Sequence, residues 1–380
     1  MFRRLAGVVL AAALGVPFYW SIRLAYADWL DRQGWPEAVR RASALAPEDA
    51  RLRARLSDWS GAVARNPYDS ASWIRLGLEA EAGGDQVSAE RYLLRAAQAD
   101  RLFAPRWTLA NYYFRRESWE PFWQWAKAAA EISSEPPVAL YQLCWEAKPD
   151  LGAIFDRVVS GQRRLIEGFL YWMATRAGLD GLRTVAARAV DLAGLEQSHA
   201  LVVCLNRMVA LGAPMDALPL WNRMIDRRLL PFQRLEPEAG VSLTNGDFRL
   251  PLNGETFNWT PFPIGRWGGG GVRFEFDGNQ PERCDLLAQK LPVVGGRRYR
   301  LRCRYQASGI ARGAGPVWVA GDLATSEPLA AGPTETSLEF SVGPASRVLP
   351  LLLVYRRVPG TTRIVGVLKL ESVRLELLGQ

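Results

Sequence analysis

Trp73, Trp107 and Tyr141 stand 34 residues apart in turn. A fixed interval of that length is two short helices and their turns. Each such unit leaves an apolar face that only its neighbour can bury, so the interval dictates a stack of helical hairpins. The first unit carries Leu76-Gly77 after its aromatic residue, then Ala89, Leu93 and Ala96, with Gly83-Gly84-Asp85 between the two halves. Helical patterning runs from about residue 28 to 230. It includes a helix opening at Pro36-Glu37-Ala38-Val39 and ending near Leu45, before Pro47. Beyond Asp150 the apolar spacing predicts helices near 162–176, 180–193, 196–211 and 215–228, with a turn around Gly178 and Gly181.

The order aromatic, Leu-Gly, small, large apolar, small over residues 70–103 resembles the tetratricopeptide repeat. The next unit keeps Trp107, Phe114 and Ala130 but has Trp123 and Lys127 where a small and a large apolar residue are expected. The third keeps Tyr141 and replaces Leu-Gly with Cys144-Trp145. The resemblance implies a concave face, lined by the first helix of each unit, that holds a protein partner. Carried over by register, that face includes Ile74, Leu78, Glu81, Thr108, Tyr112, Arg115 and Arg116. The same positions also suit ordinary solvated helix residues. The tryptophan-rich run Trp107 to Trp145 is read as packing between repeats.

After Pro231 the pattern changes. Residues 231–240 carry prolines and charges and read as a linker. From 241 the period becomes two, as in Val272-Arg273-Phe274-Glu275-Phe276 and Tyr299-Arg300-Leu301-Arg302-Cys303-Arg304-Tyr305. Short alternating segments between glycine and proline turns predict an antiparallel β-sandwich. Asn245-Gly246-Asp247-Phe248, the segment from Gln289 through Gly295-Gly296 to Tyr299-Arg300-Leu301, and the closing Glu371-Ser372-Val373-Arg374-Leu375 resemble the jelly-roll modules of carbohydrate-binding families 4 and 9. The resemblance covers most of 243–378. It implies sugar contact through aromatic faces, with Trp259, Trp267, Trp318 and Tyr355 as candidates and Arg273 and Gln289 as polar partners. Each of these also suits the core, and Gln289 is the type of residue that satisfies backbone groups inside a sandwich. The resemblance further implies a structural calcium, for which Asn245, Asp247 and Glu371 would supply oxygens. Glu371 stands where the family has Asp. Asn258-Trp259-Thr260 forms a glycosylation sequon by coincidence.

At the other end, Met1-Phe2-Arg3-Arg4 precedes a charge-free run from Leu5 to Trp20. A basic head before an apolar stretch is a signal-anchor or a secretory signal. Ala25-Tyr26-Ala27 offers a small-x-small cleavage form, but Arg23 intrudes on its approach. An uncleaved transmembrane helix over 1–30 is the preferred reading, with Phe18, Tyr19, Trp20, Tyr26 and Trp29 at the outer interface. The bulk of the chain then lies on the periplasmic side of a bacterial inner membrane, where a disulfide is permitted. Cys284 and Cys303, on successive candidate strands, are the candidate pair. Cys144 and Cys204 read as helix-core residues.

Composition narrows the chemistry. Of 47 basic residues only Lys127, Lys148, Lys290 and Lys369 are lysines, and the net charge is +8. The arginines read as a scattered, solvated surface; no arginine tract or nucleic-acid motif stands out. The one histidine, His199, reads as a helix residue satisfied within the fold. A Ser-His-Asp triad would have to use it, and no nucleophile elbow accompanies it. The four cysteines have no Cys-x-x-Cys spacing, which argues against structural zinc.

The sequence is therefore read as an α + β multidomain protein: membrane helix 1–30, tetratricopeptide-like solenoid 31–230, linker 231–240 and β-sandwich 241–380. The expected function is non-catalytic scaffolding in the cell envelope, without cofactor beyond the calcium just named. A protein would occupy the repeat groove and a glycan the jelly roll, in a setting such as polysaccharide assembly or export. The alternatives are an accessory or remote carbohydrate-active enzyme and a purely structural, protein-binding sandwich.

Overall fold

Aspartate opens most of the early helices. Asp49, Asp58, Asp69 and Asp85 each accept a backbone N–H of the first turn, one of the four donors that a helix start leaves unpaired. In the computed structural model, which describes residues 2–378 with side chains from Ala13 onward, these caps begin α3 (Ala50–Arg55), α4 (Trp59–Arg65), α5 (Ser70–Ala82) and α6 (Gln86–Ala99). They follow a long α1 (Phe2–Arg32) and α2 (Pro36–Leu45) and precede α7 (Phe103–Arg115), α8 (Trp119–Ile132) and α9 (Val138–Ala147). Between α5 and α6 the chain reverses over Gly83 and Gly84. Gly84 takes φ +81°, which costs a residue without a Cβ nothing. Asp85 then caps Ser88 N at 3.0 Å.

The 34-residue interval is a packing interval. α5 pairs with α6 and α7 with α8. Ala89, Leu93 and Ala96 of α6 are fully buried. Gly77 of α5 is what lets Leu93 in: a Cβ there would stand 2.5 Å from Leu93 Cδ2. Tyr112 and Tyr141 are also fully buried.

α1 lives in two environments. Ala27 and Leu30 are buried with Ala38, Ala42, Ala46 and Leu52, and Asp31 pairs with Arg55 at 2.5 Å. Further back, Leu14, Val16, Phe18, Tyr19, Trp20, Ile22, Leu24 and Tyr26 are all exposed. Among the described residues no helix is long and apolar enough to cross a membrane.

The chain divides into two compact units, Met1–Pro149 and Asp150–Gln380. The division thus falls inside the stretch read as a single solenoid. The second unit opens with α10 (Leu151–Ile154), which runs on as a single π turn over Phe155–Val159. α11 (Arg163–Ala174), α12 (Leu179–Leu192), α13 (Ser198–Ala210) and α14 (Pro214–Asp226) follow. These are the four predicted helices, within two residues at each boundary.

Two antiparallel five-stranded sheets follow. The strands are β1 (Thr260–Pro261), β2 (Gly265–Trp267), β3 (Val272–Asp277), β4 (Arg283–Pro292), β5 (Arg298–Ser308), β6 (Val317–Ala320), β7 (Ala324–Thr325), β8 (Glu335–Ser341), β9 (Val348–Arg356) and β10 (Val365–Leu378). One sheet has the order β1-β4-β9-β6-β7 and the other β2-β3-β10-β5-β8. One shared core joins them, with Phe248, Trp259, Phe274, Leu301, Trp318, Leu353 and Tyr355 among its members. The strict alternation read in the sequence is the burial pattern of β3, in which Val272, Phe274 and Phe276 point inward.

Residues 231–240 do not behave as a linker. Leu235 is 1% exposed. The Asn222 amide of α14 holds its backbone from both sides, donating to Leu235 O at 2.8 Å and accepting from Leu235 N at 2.9 Å. Phe232 stacks on Trp221.

Gly77→Ala tests the helix pairing. The clash, worth about 1–3 kcal/mol, opposes a helix-propensity gain of about 1 kcal/mol. Leu93 is fully buried, so its side chain can give way only against packed neighbours, and a net loss is expected as a lower melting temperature. An unchanged or raised midpoint would show that α5 and α6 repack freely.

Candidate functional site

On the first unit, α5 and α7 lie side by side with the 34-residue register intact. Glu81 and Arg115, equivalent positions in consecutive units, form a bidentate pair at 2.9 and 2.7 Å. Arg116 lies 5.6 Å over the Tyr112 ring. Tyr112 itself is not available to a partner: it is fully buried and its hydroxyl donates to Gln86 O at 3.1 Å. Burial pushes its phenol pKa upward, with Arg116 opposing. Thr108 turns its hydroxyl back to Ala104 O. Ile74, Leu78, Glu81 and Thr108 are half-buried, and Arg115 and Arg116 are exposed. The candidate groove residues are therefore brought to one side of α5 and α7, with Tyr112 as packing beneath them.

The aromatic platform expected on the sandwich is mostly core. Trp259, Trp318 and Tyr355 are each 0% exposed. Trp259 donates from Nε1 to Asn245 O at 3.1 Å and packs against Trp318. The Tyr355 hydroxyl accepts from Ile364 N. Gln289 is buried too and does what an interior amide does. Its Nε2 lies within hydrogen-bond reach of Thr244 O, Thr244 Oγ1 and Phe257 O, which fixes the strandless segment before β1 over the core. Only Trp267 and Arg273 are accessible. Trp267, 43% exposed, sits at the end of β2 on the inward side, opposite Val272, and is held by Nε1 donating to Phe248 O at 2.7 Å. Arg273 points outward and pairs with Glu275 at 2.8 Å, holding that carboxyl below its ordinary range.

The calcium candidates do not make a calcium site. Both ends of the Asn245 amide are spent on Leu250, donating to its O at 2.8 Å and accepting from its N at 3.0 Å. Asp247 pairs with Arg249 at 3.0 Å, and Glu371 accepts from Gln306 Nε2. A hard cation needs six to eight converging oxygens. Among the described residues no group of three or more His, Cys, Asp or Glu side chains is arranged to hold a metal.

The disulfide expectation is also corrected. Cys284 lies on β4 opposite Tyr355, in one sheet, and Cys303 on β5 opposite Val373, in the other. All four cysteines are free. Strands adjacent in sequence fell on opposite sheets, and packed sheets stand about 10 Å apart, beyond disulfide reach. His199 is an exposed residue of α13 and is hydrogen-bonded within the fold, as the sequence reading expects. Its Nδ1 meets Tyr171 Oη at 2.7 Å and its Nε2 lies 3.7 Å from Glu255.

The sequence reading missed one feature. The arginines of β5 are not scattered. Arg298, Arg300, Arg302 and Arg304 occupy every second position and so share the outward face, while Tyr299, Leu301, Cys303 and Tyr305 fill the core. Cross-strand register extends the comb. Arg302 lies opposite Arg374 of β10, and Lys369 of β10 lies opposite Arg273 of β3, which lies opposite Arg266 of β2. Glu339 bridges Arg298 and Arg300 at 3.2 and 2.6 Å, and Glu376 pairs with Arg302 at 3.2 Å. The period-two spacing of Arg300, Arg302 and Arg304 in the alternating segment Tyr299 to Tyr305 was the available signal.

No protein-family model matches the chain, and no curated protein matches it.

Burial pushes the thiol pKa values of Cys204 and Cys303 up to about 12 and raises that of Cys144 as well. In the unfolded chain thiols ionise near about 8.5. The stability these groups contribute is complete below that pH and is lost as pH rises from it toward the folded values. Denaturant midpoints should therefore fall through the alkaline range. Thiol labelling of the native protein at neutral pH should modify only the half-buried Cys284. Labelling in denaturant without reductant should modify all four; a protected pair would contradict the free thiols.

Proposed function

We propose that this chain is a non-catalytic scaffold of the bacterial envelope, anchored by α1 in the inner membrane with its bulk on the outer side. The observation that carries the reading is the double life of α1. Eight large apolar or aromatic residues between Leu14 and Tyr26 are exposed, yet the same helix ends locked into the first helical hairpin. Exposed apolar surface on this scale favours burial at about 25 cal/mol per Å². A bilayer covers it with no further protein, and the apolar sequence before Ala13 extends the embedded stretch. Arg23 lies 4.8 Å over the Trp20 ring, an arrangement suited to the headgroup boundary.

The helical hairpins of the first unit, tetratricopeptide-like in pattern, then offer the α5–α7 face to a protein partner. Ile74 and Leu78 supply the apolar part of that face, and Arg115 and Arg116 its charged rim. The sandwich, jelly-roll-like in its sequence motifs, contacts glycan. Polysaccharide assembly or export is the setting this combination suits. The burial of Trp259, Trp318 and Tyr355 removes most of the aromatic platform, so sugar contact would rest on polar groups of the sandwich surface.

A phosphatase fused after Gln380 should be active outside the cytoplasm, and the protein should stay in the membrane pellet after a carbonate wash. A cytoplasmic reporter active at the same position would reverse the topology. Release by carbonate would remove the anchor. Replacing Phe18, Trp20 and Leu24 with serine should leave the helical fold intact by circular dichroism and shift the protein toward the supernatant.

A further inference from the structure

We infer that the outer face of the sheet β2-β3-β10-β5-β8 binds an acidic, carboxylate-bearing polysaccharide. The inference deepens the glycan reading and rests on it.

The argument begins with a cost. Like charges directly opposite on neighbouring strands destabilise a sheet, and this face contains three such pairs. Arg374 is the register partner of Arg302. Lys369 is the partner of Arg273, itself the partner of Arg266, which puts three cations in one cross-strand row. Local conflicts of this kind concentrate where function requires them. A face that only needed to be soluble would alternate its signs, as it does one row away, where Arg300 sits between Glu376 and Glu339.

Pairing does not remove the excess. Glu335, Glu339 and Glu376 engage Arg298, Arg300 and Arg302. Arg304, Arg374 and Lys369 have no ion-pair partner among the described residues. Arg304 and Arg374 are exposed, and Lys369 is partly so. Alternate residues along a strand repeat at about 7 Å. The result is a comb of guanidinium groups, some steadied by glutamates and some open.

The chemistry of the face selects its occupant. Arginine grips carboxylate in a two-point fork. The interspersed glutamates accept hydrogen bonds from sugar hydroxyls, which neutral polymer segments and uronate residues both carry. The same glutamates disfavour a duplex, whose backbone presents one charge per about 1.7 Å. A charged sheet face with no exposed ring among its described outward residues offers no stacking platform, so a neutral glycan has little to hold. A polymer with one carboxylate per sugar matches both the sign and the sparseness of the face.

The test uses the full chain in detergent, with polygalacturonate as probe, the carboxyl-reduced polymer as its neutral counterpart, and duplex DNA as a second polyanion. Lys369→Gln with Arg374→Gln removes one cation from each like-charge row and breaks no ion pair, so the melting temperature should not fall. Affinity for polygalacturonate should nevertheless drop at least tenfold and weaken further with salt. The neutral polymer and DNA should bind far less tightly than polygalacturonate. Equal binding of polygalacturonate by the double variant, or of DNA by the parent chain, overturns the assignment and leaves the glycan reading standing. So does preference for the neutral polymer. Binding to neither polysaccharide overturns both.

Discussion

The second unit depends on side-chain amides that hold a stretch of backbone with no ladder of its own. From Pro231 to Asn258 the chain passes from α14 to the first strand with almost no regular secondary structure, yet much of it is buried. Buried N–H and C=O groups must be paired, and here asparagine and glutamine, each both donor and acceptor, share the pairing with short backbone turns. Asn222 takes both backbone groups of Leu235, Asn245 both of Leu250. Gln289 reaches Thr244 and Phe257 from β4. Asn206 of α13 accepts from the Thr256 N–H at 2.6 Å and its hydroxyl at 2.7 Å. Two of these amides come from helices and one from a strand, so helices and sandwich are stitched through the same segment. That stitching is why α10–α14 share a unit with the sheets.

The stitching also makes the two sheets unequal. Near the β1-β4-β9 surface, Asn206 and Val209 of α13 border a cleft with Lys290, Pro350 and Leu352. Outward positions on that side can therefore be apolar. The outward face of the other sheet carries the arginine comb, and its side chains are compatible with water alone. Burial and charge are thus partitioned between sheets by where the helices pack, and the exposed, charged face is the one left for a polar partner.

Much of this order was legible in the sequence, and the failures have physical causes. Periodicity located α2, α11–α14 and the alternating strands because one buried face imposes it. The Leu76-Gly77 and Leu93 pattern worked because two helices cannot approach that closely with a larger residue at 77. Residue type failed where one chemistry serves two environments. Trp259 and Trp318 have the same rings whether they meet a sugar or each other. Gln289 was read both ways, and the structure selects the interior role. Sheet membership was not readable from strand order: β4 and β5 are neighbours in sequence and lie in different sheets, which separates Cys284 from Cys303. The segment 231–240 looked like a linker because prolines and charges mark loops, while the amides that pin it lie elsewhere in the chain.

Charge on an exposed sheet face acts weakly at each contact, and this shapes what such a face can do. Surface ion pairs are worth about 0–1 kcal/mol, and salt near physiological strength screens charges beyond about 8 Å. One carboxylate would be held only briefly. A polymer presents many at intervals, so losing one contact leaves its neighbours engaged, and rebinding is governed by local rather than bulk concentration. A scaffold tethered to a membrane confines that exchange further. Weak, screened and multiple contacts suit a protein that must retain a growing or moving chain without arresting it. A deep aromatic cleft would hold one segment in one register, and the sandwich has spent the rings it would need for that on its own core.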